Sequence, residues 1–452
     1  MHTSPIPAWS GPLDVPAFAM DAVRQAASAA GRVARVRGLD VPVETTPSLV
    51  AGSFAAIDHL RVDGRPVEAW GELSGFFAAD DGWVRLHGNY PHHQAAIRRA
   101  LGAEDRDGAA AAIRRLPAAD AAERILAEGG IATPVRTAED WAAHPQARAM
   151  HDVPWRRIDP GEEREDPPVG RMIRPRDSSS PLPLAGVRVL DLTRVVAGPM
   201  ATQLLGCLGA DVLRIDPPHR PELRDAYLAS GMGKRSAELD LSASREVLES
   251  LLRSADVVVL GYRPGSLGRF GLALDDLRER FDHLVIGALS AWGEVGPWGE
   301  RAGFDSIVQA ATGIADVCGN GGADGASDPV HGVPLDRKPG ALPVQALDHA
   351  TGNVLAAGIL DLLADGRGGV VRASLVGAAR ELMERPTAPH DPRRPGPADS
   401  DPTDPDPTEP LATLEQATPY GRIRTVPAPL RLDGISLTGA ITQYGAATPA
   451  WR

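Results

Sequence analysis

The stretch Leu190-Asp191-Leu192-Thr193-Arg194-Val195-Val196-Ala197-Gly198-Pro199, running through Ala201-Thr202-Gln203 to Leu208-Gly209-Ala210-Asp211-Val212-Leu213, decides the fold class. It reads as a buried strand, a tight Gly-Pro turn, a helix opening on that turn and a second strand, the start of a parallel α/β sheet with a ligand crevice. Ala201, Leu204, Leu205 and Leu208 recur at i, i+3, i+4 and i+7, which is one face of a helix. Turns of this kind suit phosphates, because helix N-terminal amides point at a bound anion.

Working outward, apolar runs at 187–192, 211–215, 256–260, 284–289 and 370–375 alternate with helical patterns. That alternation predicts a doubly wound, mostly parallel sheet (Rossmann-like) over residues 182–385, covered on both faces. Leu355, Ile359, Leu362 and Leu363 mark the apolar stripe of a later helix. Residues 156–181 mix Pro, Gly and charge without apolar periodicity and read as a linker. Residues 386–413 interleave Pro with Asp, as in Asp401-Pro402-Thr403-Asp404-Pro405, and bury too little apolar surface to offset the entropy of ordering, so disorder is expected. Residues 1–155 read as a smaller mixed α+β domain, with helical patterns near 20–36, 92–101 and 109–128 and a hairpin strand at Gly82-Trp83-Val84-Arg85-Leu86; residues 414–452 form a tail.

With 452 residues and 43% hydrophobic content, the chain can bury a sizeable core. A net charge of −12 argues against a nucleic-acid partner, which needs a basic face, but not against a phosphate-bearing ligand met by a few local cations. Two cysteines, Cys207 and Cys318, cannot make a disulfide framework and lie in no zinc-spaced cluster, which suits a reducing cytoplasm. Neither a signal-peptide pattern nor an 18-residue apolar run occurs, so no export or membrane partner is expected.

The opening stretch resembles that of the family III CoA-transferases, which include formyl-CoA and carnitine CoA-transferases and α-methylacyl-CoA racemases. Further matches follow in the family's order: Gly233-Lys234-Arg235-Ser236 with Leu239-Asp240-Leu241, Arg263-Pro264-Gly265 with Phe270-Gly271-Leu272, Gly296-Pro297, then Gly303-Phe304-Asp305 with Gln309-Ala310. Two segments of the first domain, Phe76-Phe77-Ala78-Ala79-Asp80-Asp81-Gly82-Trp83-Val84 and Gly130-Ile131-Ala132-Thr133-Pro134-Val135-Arg136, resemble family segments that normally come later in the chain. Their position here is consistent with a permuted or tandem-derived order.

The resemblance implies an acyl-CoA:carboxylate CoA-transferase with no permanently bound cofactor and no metal, with coenzyme A thioester and carboxylic acid as substrates, and a homodimer. It places the family's nucleophilic Asp in Leu342-Pro343-Val344-Gln345-Ala346-Leu347-Asp348-His349, at Asp348. For CoA it points to Val195, Ala197 and Gly198 beside the pantetheine and phosphates, with Lys234, Arg235 and Arg263 as cationic contacts.

The residues support Asp348 independently. An Asp just before a helix meets first-turn amides that keep a carboxylate ionised; the same position equally suits a plain N-cap. Oxyanion donors are sought in the glycine-rich turn at Gly319-Asn320-Gly321-Gly322. Racemisation needs an acid/base group on each face of the α-carbon, and the family's racemases place a His directly before the Asp of the Gly-x-Asp segment. Phe304 stands there, so transfer is preferred. An isomerase or a non-catalytic CoA-binding homologue is the alternative. His349 is expected in structural hydrogen bonds, and His92-His93 at a surface turn or helix start rather than on a metal.

Overall fold

The computed structural model describes residues 9–161, 181–319, 337–387 and 410–452. Its centre is a mixed α/β unit built on a seven-stranded, mostly parallel sheet. The strands are β1 (Arg156–Pro160), β2 (Arg188–Leu192), β3 (Asp211–Asp216), β4 (Lys234–Glu238), β5 (Val257–Leu260), β6 (Val285–Ser290) and β7 (Gly369–Ser374), in spatial order β4-β3-β2-β5-β6-β7-β1. All neighbours are parallel except β1, which runs antiparallel along β7. Each expected apolar run forms a strand, displaced by a residue or two.

Period-two alternation sends successive side chains to opposite faces. Val189, Val257, Val259, Val285 and Val371 enter one core, shared with helices α1 (Val15–Val36), α2 (Ala197–Cys207) and α4 (Ala346–Ala364). Leu190, Leu192, Val258, Ile286 and Val370 enter a second core with Leu248, Leu251, Leu252 and Leu277 on the other side. Strands buried on both faces need a continuous apolar run, as in Val257-Val258-Val259-Leu260.

Three boundaries differ from the sequence reading. The stretch expected as a linker opens with β1, whose register pairs Ile158 with Val371 and Asp159 with Val370; residues 162–180 lie outside the described residues. The boundary expected at residue 155 does not divide the packing either. Helix α1 lays Phe18, Ala22, Ala26 and Ala29 into the core of α4 and the sheet, because small alanine side chains let two helices meet closely. A separate small core, with Leu73, Phe77, Val84, Leu86, Ile97, Ile113 and Ile125, lies between about residues 73 and 132. There the hairpin strand Trp83–Leu86 pairs with Gly75–Ala78 as expected and also with Ala132–Pro134.

Strand β4 is the third difference, since its Lys-Arg-Ser-Ala-Glu sequence carries no apolar run. The tail covers this edge: Ile441 bridges Lys234, and Ala446 bridges Ala237. Earlier in the tail, Leu414–Thr418 and Gly421–Thr425 form a hairpin that pairs with Arg61–Val62. The Pro/Asp-rich segment expected to be disordered falls largely on residues 388–409, outside the described residues. Among the described residues no helix is long and apolar enough to cross a membrane.

Candidate active site

The site forms where the strand order reverses, at the carboxyl end of β2. Asp191 anchors this turn: its Oδ1 accepts from the Thr193 N–H (3.0 Å) and hydroxyl (2.5 Å), and its Oδ2 from the Thr202 hydroxyl (2.6 Å) and Lys234 Nζ (3.1 Å). The chain then passes Val195 at φ +71°, a left-handed conformation that is an outlier for a β-branched residue. Glu222 holds it there by accepting the Val195 N–H at 3.0 Å.

Glu222 is itself buried against Arg214 (2.9 Å) and accepts the Tyr90 hydroxyl (2.5 Å). Burial pushes its pKa up, but Arg214 and Arg194 outweigh that and hold it down at about 2. Arg194 lies over the Tyr90 ring at 5.0 Å and donates to the Pro221 carbonyl at 2.7 Å. An ion cluster thus fixes the strained turn, and no side chain caps the first turn of α2.

Gly198 is required here, because a β-carbon would fall 2.6 Å from the Thr193 methyl carbon. Gly352 on α4 is required too: a β-carbon there would overlap the Ala197 carbonyl oxygen. The backbone of α4 therefore rests on the entry to α2. Asp348 lies one turn before Gly352 on the same helix, about 6 Å along the axis.

Asp348 is 6% exposed and in the first turn of α4, while Gln345 holds the cap position, so it is not a plain N-cap. The sequence reading gave the first-turn amides to Asp348. Instead they serve Asp305, at the start of helix α3 (Asp305–Ala311). Asp305 Oδ2 accepts the Asp348 N–H at 2.9 Å, the Leu347 N–H adds a further hydrogen bond, and Oδ1 takes the Gln309 amide. Burial, partly offset by these bonds, raises the Asp305 pKa to about 6. Burial, reinforced by the negative charge of Asp305, raises Asp348 well above the usual carboxylate range. The expectation that the helix mouth keeps Asp348 ionised is therefore reversed in sign.

The cationic candidates separate. Lys234 is fully buried, and its ammonium donates to Asp191 and to the Pro199 carbonyl (2.6 Å), with burial lowering its pKa to about 8. It ties β4 to the turn and is not presented to a ligand. Arg235 points the other way, grips Asp211 at 2.8–3.0 Å and donates to the Ala450 carbonyl, so it is committed to the tail and the sheet edge. Both assignments as CoA contacts are corrected by these partners. Arg263 is exposed just beyond the carboxyl end of β5. Val195, Ala197 and Gly198 line the turn.

His349 stacks on Phe54 at 5.1 Å with Nδ1 unpartnered, so among the described residues its hydrogen bonds are those of its backbone, to Gln345 and from Asn353; burial takes its pKa to about 3. His92 and His93 do open a helix, Pro91–Leu101, and among the described residues no cluster fit for a metal occurs. Of the proposed oxyanion turn, residues 320–336 lie outside the described residues.

Sequence reasoning missed Glu222, Arg214 and Tyr90, whose meeting across 132 residues of chain has no local pattern. Asp305 was visible in its motif but not as the acceptor of the Asp348 amide.

Residues 184–413, just over half of the chain, match the model of CoA-transferase family III. The probable fatty acyl-CoA transferase Rv3272 of Mycobacterium tuberculosis is 36% identical over 197 residues, covering 40% of this chain and 46% of that protein. Mouse succinyl-CoA:glutarate CoA-transferase is 33% identical over 218 residues, covering 44% and 47%. A formyl-CoA:oxalate CoA-transferase of Escherichia coli is 33% identical over 151 residues, covering 30% and 36%. The crystal structure of Rv3272 matches with 35% identity and a TM-score of 0.38, covering 45% of this chain and 58% of that one. The chain thus spans about half the length, or less, of the curated relatives it matches, and by its family match it belongs to CoA-transferase family III.

Proposed function

We propose that the chain is an acyl-CoA:carboxylate CoA-transferase that works through an aspartyl-CoA thioester on Asp348. The observation that supports this reading is the close approach of Gly352, one helical turn from the buried Asp348, to Ala197 in the strained turn at the carboxyl end of β2. In this reading the sheet is a doubly wound, Rossmann-like binding unit, and CoA enters over Val195, Ala197 and Gly198 with phosphates near Arg263 and the uncapped mouth of α2.

The chemistry follows from a carboxylate in a dry site. Asp348 attacks the donor thioester carbonyl, the C–S bond breaks, and CoA thiolate leaves behind a mixed anhydride. The thiolate then attacks the aspartyl carbonyl and expels the donor acid, leaving aspartyl-CoA. An acceptor carboxylate displaces the thiolate to form a second mixed anhydride, and the thiolate attacks the acceptor carbonyl to release the new thioester and regenerate Asp348. A carboxylate of raised pKa is the stronger nucleophile once ionised, and the amides that hold Asp305 keep the competing charge in place.

Phe304 cannot move a proton, which supports transfer over racemisation. The hairpin that packs on α3, through the Arg136 N–H donated to the Ala310 carbonyl at 2.9 Å, supports the permuted order, since it returns the first domain to the site. The reading also takes the enzyme to be a cytoplasmic homodimer. It is tested by exchange of labelled carboxylic acid into acyl-CoA: the wild type is expected to catalyse exchange and Asp348→Asn to lose it at least about 1,000-fold. Equal exchange by the two would reject it, and α-deuteration of acyl-CoA without exchange would select the isomerase.

A further inference from the structure

Arg85 is a buried cation with no ion-pair partner among the described residues. It sits on the hairpin strand Trp83–Leu86, where Val84 and Leu86 face the small core and Arg85 faces α3. Its guanidinium lies 5.0 Å from the Trp70 ring and 4.8 Å from the Phe76 ring, the residue is 7% exposed, and Nε has no partner. No ion pair joins it to a described residue. Leaving a buried charge unpaired costs several kcal/mol, so such a group is normally matched by an anion. Asp305, beyond ion-pair distance, offsets part of this charge, and Arg106 adds to it.

Two residues on, His87 is equally unsatisfied. It is 2% exposed, stacked at 3.7 Å and 9° on Phe304, and neither ring nitrogen has a partner. Burial keeps its pKa well below the usual value, so the ring is neutral and offers one N–H donor and one acceptor. Phe304 leads directly into Asp305, which accepts the Asp348 amide. The unpaired groups therefore border the catalytic carboxyls. From Asp348 the pair is reached through Asp305, which accepts the Asp348 N–H and feels the charge of Arg85, and through Phe304, on which His87 stacks.

We infer that Arg85, with the His87 N–H beside it, receives the second, non-reacting carboxylate of a dicarboxylic acid substrate. This rests on the transferase reading and adds a substrate class to it. An Arg at that remove does not hold the carboxylate that reacts, which must lie about 3–3.5 Å from the Asp348 carbonyl. It suits an anion one carbon chain away, and a guanidinium fork binds a carboxylate bidentately.

The test compares glutarate with pentanoate, acids of equal carbon number, as acceptors in the wild type, Arg85→Gln and Arg85→Lys. The ratio of kcat/KM for glutarate to that for pentanoate is expected to fall roughly 10- to 100-fold in Arg85→Gln and less in Arg85→Lys. A ratio unchanged within about threefold overturns the inference. A calorimetric arm measures glutarate binding to the Asp348→Asn and the Arg85→Gln/Asp348→Asn proteins, with thermal melts confirming that both are folded. If no acid supports transfer, the functional reading fails, and this arm alone decides: binding lost with Arg85 supports the anion site, while binding absent or independent of Arg85 overturns it.

Discussion

Substituting Gly352 with alanine separates the placement of Asp348 from the stability of its helix. Alanine in a helix interior is favoured over glycine by about 1 kcal/mol. At Gly352, however, the added β-carbon meets backbone: it overlaps the Ala197 carbonyl oxygen and falls 3.3 Å from the Ala197 carbonyl carbon and 3.4 Å from the Ala201 nitrogen. No rotamer change relieves a backbone clash, so α4 must move about 1 Å from α2 to restore ordinary contact distances. Overpacking of this kind costs about 1–3 kcal/mol, which leaves a net loss of about 0–2 kcal/mol after the propensity gain. The effect on rate is larger, because moving a reacting group by about 1 Å costs on the order of 100-fold. Gly31→Ala is the control: it lies within α1, meets only the Arg35 side chain at 3.7 Å, and is expected to gain about 1 kcal/mol with no change in rate. Urea melts and acid-exchange rates on both variants make the comparison. Equal stabilisation by both alanines, with exchange intact in Gly352→Ala, would refute the close approach of the two helices as the device that places Asp348.

Two further substitutions examine the buried charges. Lys234→Met removes the partner of Asp191 inside the sheet and is expected to destabilise by about 3–5 kcal/mol in denaturant melts, whereas a ligand contact would alter CoA affinity at constant stability. Asp305 has a folded pKa of about 6, above its ordinary value of 3.8, so its contribution to stability is full below about pH 4 and is lost as pH rises through 6. Asp305→Asn is therefore expected to flatten the stability profile between pH 4 and 7, by up to a few kcal/mol in melts across that range; a slope as steep as the wild type's would contradict the burial argument.

What the sequence revealed follows a physical division. Strands such as Val257-Val258-Val259-Leu260 announce themselves because both faces are buried, and the α2 and α4 stripes show the helical period. Strand β4 stayed hidden because an edge strand paired to a tail tolerates charge, and its Lys234 matches an Asp 43 residues away. Lys234 and Arg235 read as adjacent surface cations, yet strand alternation sends one into the sheet and the other to Asp211. That an Asp stands in the first turn of a buried helix at position 348 was legible from its motif. The protonation logic was not, since it depends on Asp305 taking amides from a helix that begins some 40 residues later. The unpaired state of Arg85 was equally silent: the hairpin alternation turns it away from the small core, but only the assembled packing shows that no described carboxylate comes within ion-pair distance of it.

The central claim is that the Asp348 carboxyl becomes the carrier of CoA. Incubating the protein with an acyl-CoA, quenching with hydroxylamine or borohydride and mapping peptides by mass spectrometry reads this directly. The account predicts a hydroxamate or reduced side chain at Asp348, dependent on acyl-CoA and absent when acyl-CoA is omitted. Turnover with Asp348 unmodified, or modification at another carboxyl, would contradict it.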